Sequence, residues 1–248
     1  MYKLQKLATY HPALSILVAI NLSAWLILRI LMIWSPDVAT AIIYWCELPC
    51  GATAMLNRPW TLFVYMWIHT HVLHMLLNIL WLCWFGLIMP QGRKWRIHRI
   101  YIYGGLCGGI FYAMTGAVAG NALIGSSAAV MAVAVAVTIV KPHRNTLLPI
   151  IGNVELKWIT AVIIIVDALS IVSGDFSGHI AHLGGAVFGI VAGWQMKQWR
   201  FNPVTSKQKQ AENSYPSTNS IINKVRHSGH SSLSPEERRV LFKVSRGK

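Results

Sequence analysis

Long apolar runs alternate along the chain with short polar or glycine-bearing breaks, and within each run the apolar residues are continuous rather than every second one. Six runs read as membrane-crossing helices, for which about 20 residues are needed. The first covers about Ala13 to Ile33 and is stopped by Pro36 and Asp37. The second covers about Leu62 to Ile88, the third about Ile100 to Val118, the fourth about Ile124 to Val140, the fifth about Trp158 to Val172 and the sixth about His179 to Met196. Between the first two, residues from Ser35 to about Pro59 are too apolar for an ordinary loop and too broken for a span. This first loop reads as an interfacial or partly inserted hairpin, with Trp45 and Trp60 at headgroup level.

Composition supports this pattern. The chain is 54% hydrophobic and 12% charged, against about 25% charge in soluble domains. The expected class is an all-α polytopic membrane protein. A β-barrel is excluded because barrel strands alternate apolar and polar positions. The net charge of +14 does not point to nucleic acid. The basic residues sit between the runs and in the tail, as Lys3, Lys6, Arg93, Lys94, Arg96, Arg99, Lys141, Arg144, Lys157, Lys197 and Arg200. Positive residues mark cytoplasmic flanks. With Arg58 as the one basic residue in the other connections, six spans with both ends in the cytoplasm satisfy the rule. Residues 1–196 are then a six-helix membrane domain. Residues 197–248 form a basic cytoplasmic tail, a linker followed by a short helix, which could lie on anionic lipid. Ser234, Pro235 and Glu237 form a capping-box start for that helix, through about Ser245. The first run is too long for a cleavable leader. Cys83 and Cys107 read as packed thiols, and Cys46 and Cys50 share a loop in which they could pair.

Candidate chemistry comes from polar side chains inside the apolar runs, which are expensive there and so mark candidate sites. The fourth run opens on Gly125, Ser126 and Ser127. The second carries His74 and Asn78, which share a helix face because they are four residues apart. The sixth carries His179 and His182. With the topology above, all three sets lie in the same outer layer of the bilayer. A serine hydroxyl needs a base to become a nucleophile, and a histidine is suited to that near neutrality. An oxyanion needs donors, which His74, Asn78 and the Ser127 backbone amide could supply. No carboxylate lies near His182 in sequence, so a dyad is expected rather than a triad. Gly185, Gly189 and Gly193 make one smooth face on the sixth run, and Ala128, Ala132 and Ala136 a matching face on the fourth. Packed together, they would bring Ser127 and His182 within reach of each other.

Each residue also has a plainer reading. Ser127 alone is most often a helix cap, and His182 alone a hydrogen-bonded bundle histidine. His69, His71 and His74 invite zinc, but neighbouring positions face apart on a helix and no acidic or thiol partner is near. Asp167 reads first as a carboxylate hydrogen-bonded inside the bundle, and His179 as a residue lining the entrance. No metal and no cofactor is expected.

The sequence resembles the rhomboid family of intramembrane serine proteases. The residues that carry the resemblance are Gly125-Ser126-Ser127-Ala128, His74 followed four positions later by Asn78, and Ala181-His182-Leu183-Gly184-Gly185. Residues Ile221 to Ser245 resemble a tail found on some bacterial rhomboids. The resemblance implies a six-helix rhomboid-like bundle in a bacterial inner membrane, with its active site open to the outer face. It implies Ser127 as nucleophile, His182 as general base and His74 and Asn78 as oxyanion stabilisers, supported by Gly125, Ala128, His179 and Gly185. Substrates would be transmembrane proteins cleaved in or near their spans. The pattern departs at Ala128, where glycine is usual after the nucleophile, at Pro90 for a glutamate, at Thr61 for the arginine after Trp60, and at Met131 for an aromatic residue. The alternative is a catalytically silent rhomboid-like protein that binds membrane proteins. A small-solute transporter would favour an inverted repeat with helices broken at mid-membrane, and none is visible.

Overall fold

A computed structural model of the chain describes residues 11–90, 96–115, 122–148, 152–173, 178–201 and 218–245. The basic pair Arg93 and Lys94, the fifth run's far end at Gly174 and Asp175, and most of the linker to the tail lie outside the described residues. The chain divides into two compact units, Met1–Gln198 and Trp199–Lys248.

Helix α1 (Pro12–Trp34) starts with a proline in its first turn, where the missing N–H has no helical partner to lose. Pro36 restarts the chain as α2 (Pro36–Cys46). Gly51, at φ +94°, then opens α3 (Ala52–Asn57). The first loop is therefore largely helical. Its polar groups are satisfied locally: the Trp60 indole N–H donates to the Trp45 carbonyl at 2.9 Å, and the Arg58 guanidinium donates to the Tyr44 carbonyl. Cys46 and Cys50 are not joined in a disulfide.

The second apolar run is not one helix, contrary to the reading from its composition. It forms α4 (Thr61–Val64), a 3-10 turn Tyr65–Trp67 and then α5 (Val72–Ile88), with a 93° bend between the two parts. Ile68 and His71 have extended backbones. The break falls at His69, Thr70 and His71, the polar residues in this run nearest its start. Apolar flanks on both sides hide it from any periodicity argument.

Helix α6 (Ile97–Met114) and α7 (Ser127–Val140) follow. Next comes an antiparallel hairpin, β1 (Asn145–Leu148) and β2 (Gly152–Glu155), with Asn145 opposite Glu155. It departs from an all-helical reading, and Glu155 anchors it by pairing with Lys157 at 2.5 Å and His143 at 3.1 Å. Helix α8 (Leu156–Val172) and α9 (His179–Phe201) follow.

Helix α7 is the centre of the bundle, with every residue from Ala128 to Thr138 buried. Its alanines and valines leave no polar face, and a helix apolar all round belongs inside. Small residues let its neighbours approach closely. A Cβ built on Gly185 would lie 2.1 Å from the Ala128 carbonyl oxygen. One on Gly189 would lie 2.6 Å from that of Ala132, and one on Gly193 2.9 Å from that of Ala136. The glycine face of α9 thus lies against the alanine face of α7, backbone to backbone. On the other side, a Cβ on Gly104 would meet the Ala132 methyl at 2.1 Å.

Several buried polar groups are paired across helices. Asn21 on α1 donates to the Tyr101 hydroxyl on α6 at 3.0 Å, and Thr138 on α7 pairs with Thr160 on α8 at 2.7 Å. By contrast, Ile16, Ile27, Leu73, Leu80, Val162 and Leu169 point outward and are exposed. Apolar surface spread over three helices exceeds what water-soluble proteins expose and is what lipid tails cover. Among the described residues, α1 is the one helix long and apolar enough to cross a bilayer alone, and α4 with α5 passes the same test as a bent pair.

The second unit contains α10 (Thr218–Ser228), a 3-10 turn His230–Ser232 and α11 (Pro235–Ser245). Ile221 and Leu233 are buried in it. The capping box forms reciprocally: Glu237 N–H donates to Ser234 Oγ at 3.2 Å, and Ser234 N–H donates to Glu237 Oε2 at 2.7 Å. Lys224 donates to the same carboxylate at 3.0 Å.

Two outcomes follow. Gly185→Ala forces a methyl into a backbone oxygen, so it should destabilise the bundle by about 1–3 kcal/mol, read as a lower midpoint of thermal unfolding in detergent. The Ser234 amide, followed by Lys224, holds the Glu237 carboxyl below the usual carboxylate value. A depressed value gives stability that is complete above the unfolded value of about 4.3 and is lost as pH falls through the folded one. Amide-exchange protection of α11 should therefore hold at pH 6 and fall on acidification below about pH 4, and Glu237→Gln should remove most of that dependence.

Candidate active site

The segment leading into α7 is pinned from three directions. Leu48 in the first loop and Leu123 exchange backbone hydrogen bonds at 2.9 and 2.8 Å, each N–H donating to the other's carbonyl. Gly125 N–H donates to the Tyr65 carbonyl at 3.0 Å, and Tyr65 is itself fixed by its hydroxyl, which donates to the Gly105 carbonyl at 2.7 Å. Ser126 N–H donates to His69 Nε2 at 3.2 Å, and Ser126 Oγ lies at the same distance from that nitrogen. The 3-10 turn and the break in the second run therefore hold the start of α7.

Gly125 has two reasons to be glycine. Its φ of +110° is disfavoured for residues with a side chain, and a Cβ there would lie 2.5 Å from Cε1 of His74. His74 packs directly behind the glycine, with the His69 ring edge-on at 5.3 Å. Ser126 is the N-cap and Ser127 the first residue of α7. Backbone N–H groups in a first helical turn have no carbonyl partner within the helix, and the helix dipole places partial positive charge there. Ser127 thus stands where a developing anion would be stabilised.

His182 sits in the first turn of α9, its N–H donating to the Gly178 carbonyl at 3.1 Å. Its ring has a partner that sequence distance concealed. Asp167 Oδ1, on α8, lies 2.9 Å from His182 Nδ1 and 2.6 Å from His179 Nδ1. Contrary to the expectation of a dyad without a carboxylate, Asp167, fifteen positions away in sequence, lies beside the His182 ring. His179, expected at the entrance, is on the same carboxylate oxygen.

A cavity of about 280 Å³ joins these parts. Ser127, His182, Asn78 and Asp167 are its polar lining, and side chains of α5, α7 and α8, among them Trp81, Met131, Val162 and Val166, make the remainder apolar. Asn78 donates one amide hydrogen to the His74 carbonyl at 2.9 Å; an amide has a second. His74 is not among the described lining residues. The structure therefore brings Ser127, His182 and Asn78 to one cavity, and His74 lies against Gly125, two residues before Ser127. The methyl of Ala128 is accommodated by Gly108 on α6, where a Cβ would lie 2.6 Å from it.

Asp167, His179 and His182 offer ligand atoms within 4.8 Å of one another, close enough for one ion. Both imidazole nitrogens, however, sit at hydrogen-bond distance from a single oxygen, as N–H donors do. The His69, His71 and His74 trio does not converge. His69 bonds Ser126, His71 Nδ1 lies 3.0 Å from Thr70 Oγ1, and His74 meets Gly125.

Sequence reasoning missed Asp167 as a partner of His182 and His69 as a support for Ser126. The signal for Asp167 was present, since a carboxylate in an apolar run needs a donor. Its partner could have been sought among the histidines of the next run.

Gly125→Ala should lower stability by about 1–2 kcal/mol, the cost of a side chain in left-handed backbone, and displace His74 further. Reaction of Ser127 with a fluorophosphonate should slow about tenfold or more, as expected for disturbed oxyanion donors, measured by gel labelling of folded protein.

A model of the Rhomboid domain matches residues 56–199 of the chain, more than half of its length. The search of curated proteins gives no match.

Proposed function

Because the chain belongs to the rhomboid family, we propose that it is an intramembrane serine endopeptidase that cleaves transmembrane proteins in or near a spanning segment. Membership makes it an integral membrane protein with an all-helical bundle, in a family of intramembrane proteases and pseudoproteases. The observation that carries the enzymatic reading is the shared cavity. Ser127, at the start of a helix, and His182 line it together with an amide donor, Asn78.

In this reading His182 Nε2 removes the Ser127 hydroxyl proton as Oγ attacks the scissile carbonyl carbon. The oxyanion receives hydrogen bonds from the Ser127 N–H, the free Asn78 amide hydrogen and His74. His182 then protonates the departing amine, the C–N bond breaks and an acyl-serine remains. Water, activated by the same histidine, hydrolyses the ester and restores Ser127. The apolar lining from α5 and α8 suits side chains of a membrane-spanning substrate. No step calls on a metal or cofactor.

The membrane domain is assigned to residues 1–196, with six spans. Residues 197–248 are its cytoplasmic tail, both termini are inside, and the site opens outward from a bacterial inner membrane. The positive-inside distribution of Lys and Arg supports this orientation. Ala128, the departure that favours a silent binder, loses that force because its methyl lies against Gly108.

Purified protein in lipid should cut a single-span reporter, and Ser127→Ala and His182→Ala should each reduce cleavage by about 10³-fold or more. Absence of cleavage by the unaltered protein across several lipids and reporters would select the silent binder.

A further inference from the structure

We propose that Asp167 is a positioning residue for the general base, so that the serine and histidine work as part of a carboxylate-linked triad. This rests on the protease reading above and concerns how His182 is held ready for it.

A neutral imidazole carries its single proton on either nitrogen, and only the tautomer with a bare Nε2 can take the serine proton. Nothing within His182 selects that form. Asp167 does so by geometry. An ionised carboxylate accepts hydrogen bonds and donates none. With Oδ1 2.9 Å from His182 Nδ1, the proton is placed on Nδ1 and the lone pair on Nε2. The same contact fixes the ring plane, while the backbone of α9 is fixed against α7 at Gly185. When Nε2 accepts the Ser127 proton, the ring becomes a cation already paired with an anion. The proton then passes from Nε2 to the departing amine, and the Nδ1 proton never leaves Nδ1.

Asp167 is only 4% exposed, on a helix whose nearby cavity-lining residues, Val162, Ile163 and Val166, are apolar. A carboxylate there is expensive unless paired. Oδ1 receives two imidazoles, and among the described residues the buried Oδ2 has no hydrogen-bond partner. His179, three residues before His182 and edge-on to it at 5.8 Å, holds Oδ1 from the far side at 2.6 Å. The carboxylate is thereby clamped on the oxygen that serves His182.

The test uses full-length protein in lipid with a chelator present. Variants Asp167→Leu and Asp167→Asn are compared with wild type and Ser127→Ala, with thermal unfolding as the fold control. Steady-state cleavage of a reporter gives kcat and KM, and nitrogen NMR of imidazole-labelled protein gives the His182 tautomer. Expected are a wild-type His182 protonated on Nδ1, mixed tautomers in Asp167→Leu, and a fall in kcat of about 100-fold or more with KM within about twofold. Asp167→Asn keeps the shape and an acceptor but not the charge. It should fold like wild type and lose about tenfold or more in kcat, which keeps the test decisive if the leucine variant fails to fold. Full kcat in a folded variant, or an Nδ1-protonated tautomer unchanged in Asp167→Leu, would overturn the role of Asp167. A wild-type protein that neither cleaves nor reacts with a fluorophosphonate at Ser127 would instead overturn the protease reading, and this inference with it.

Discussion

The contact on which the site depends is the meeting of two helix backbones. Gly185 on α9 lies so close to the Ala128 carbonyl that no side chain fits between them. This closeness repeats every four residues along both helices, so neither sliding nor rotation is free. Ser127 is one residue before Ala128, and His182 is three before Gly185. The register of the two helices therefore sets the relation of the two side chains. Without a hydrophobic drive between helices inside lipid, close packing is a main source of association. The same glycines that stabilise the bundle thus locate the chemistry.

The second constraint acts on the loop that precedes α7. Its conformation is irregular, and irregular backbone at membrane depth persists only where protein satisfies its polar groups. Here Leu48, Tyr65 and His69 do so, from two separate parts of the chain. The break in the second apolar run supplies two of the three. A continuous helix there would present neither the Tyr65 carbonyl nor the His69 ring to the Gly125–Ser126 turn. That bend is therefore structural support for the site.

Polar groups elsewhere in the bundle follow the same rule. Asn21 finds Tyr101, Thr138 finds Thr160, and Asp167 finds two histidines. In each case a partner is on another helix.

Much of the helix content was legible in the sequence, since apolar runs of membrane length have few alternatives. The run from Ala13 to Ile33 lies within α1, and the fourth run forms α7 once Gly125 has turned the chain. The matching small faces of the fourth and sixth runs were also legible, because a four-residue repeat of Gly or Ala marks one side of a helix. The candidate side chains Ser127, His182 and Asn78 stood out for the same reason that lipid makes them costly. Three features were decided only in three dimensions. The second run breaks because His69 and Tyr65 are needed against a loop more than fifty residues away. The hairpin after α7 forms from strands too short to leave a pattern. Asp167 becomes the partner of His182 because α8 and α9 bring together residues fifteen positions apart. Sequence periodicity reports how a helix divides its surface between lipid and protein; it carries no record of which polar group on another helix will complete the hydrogen bond.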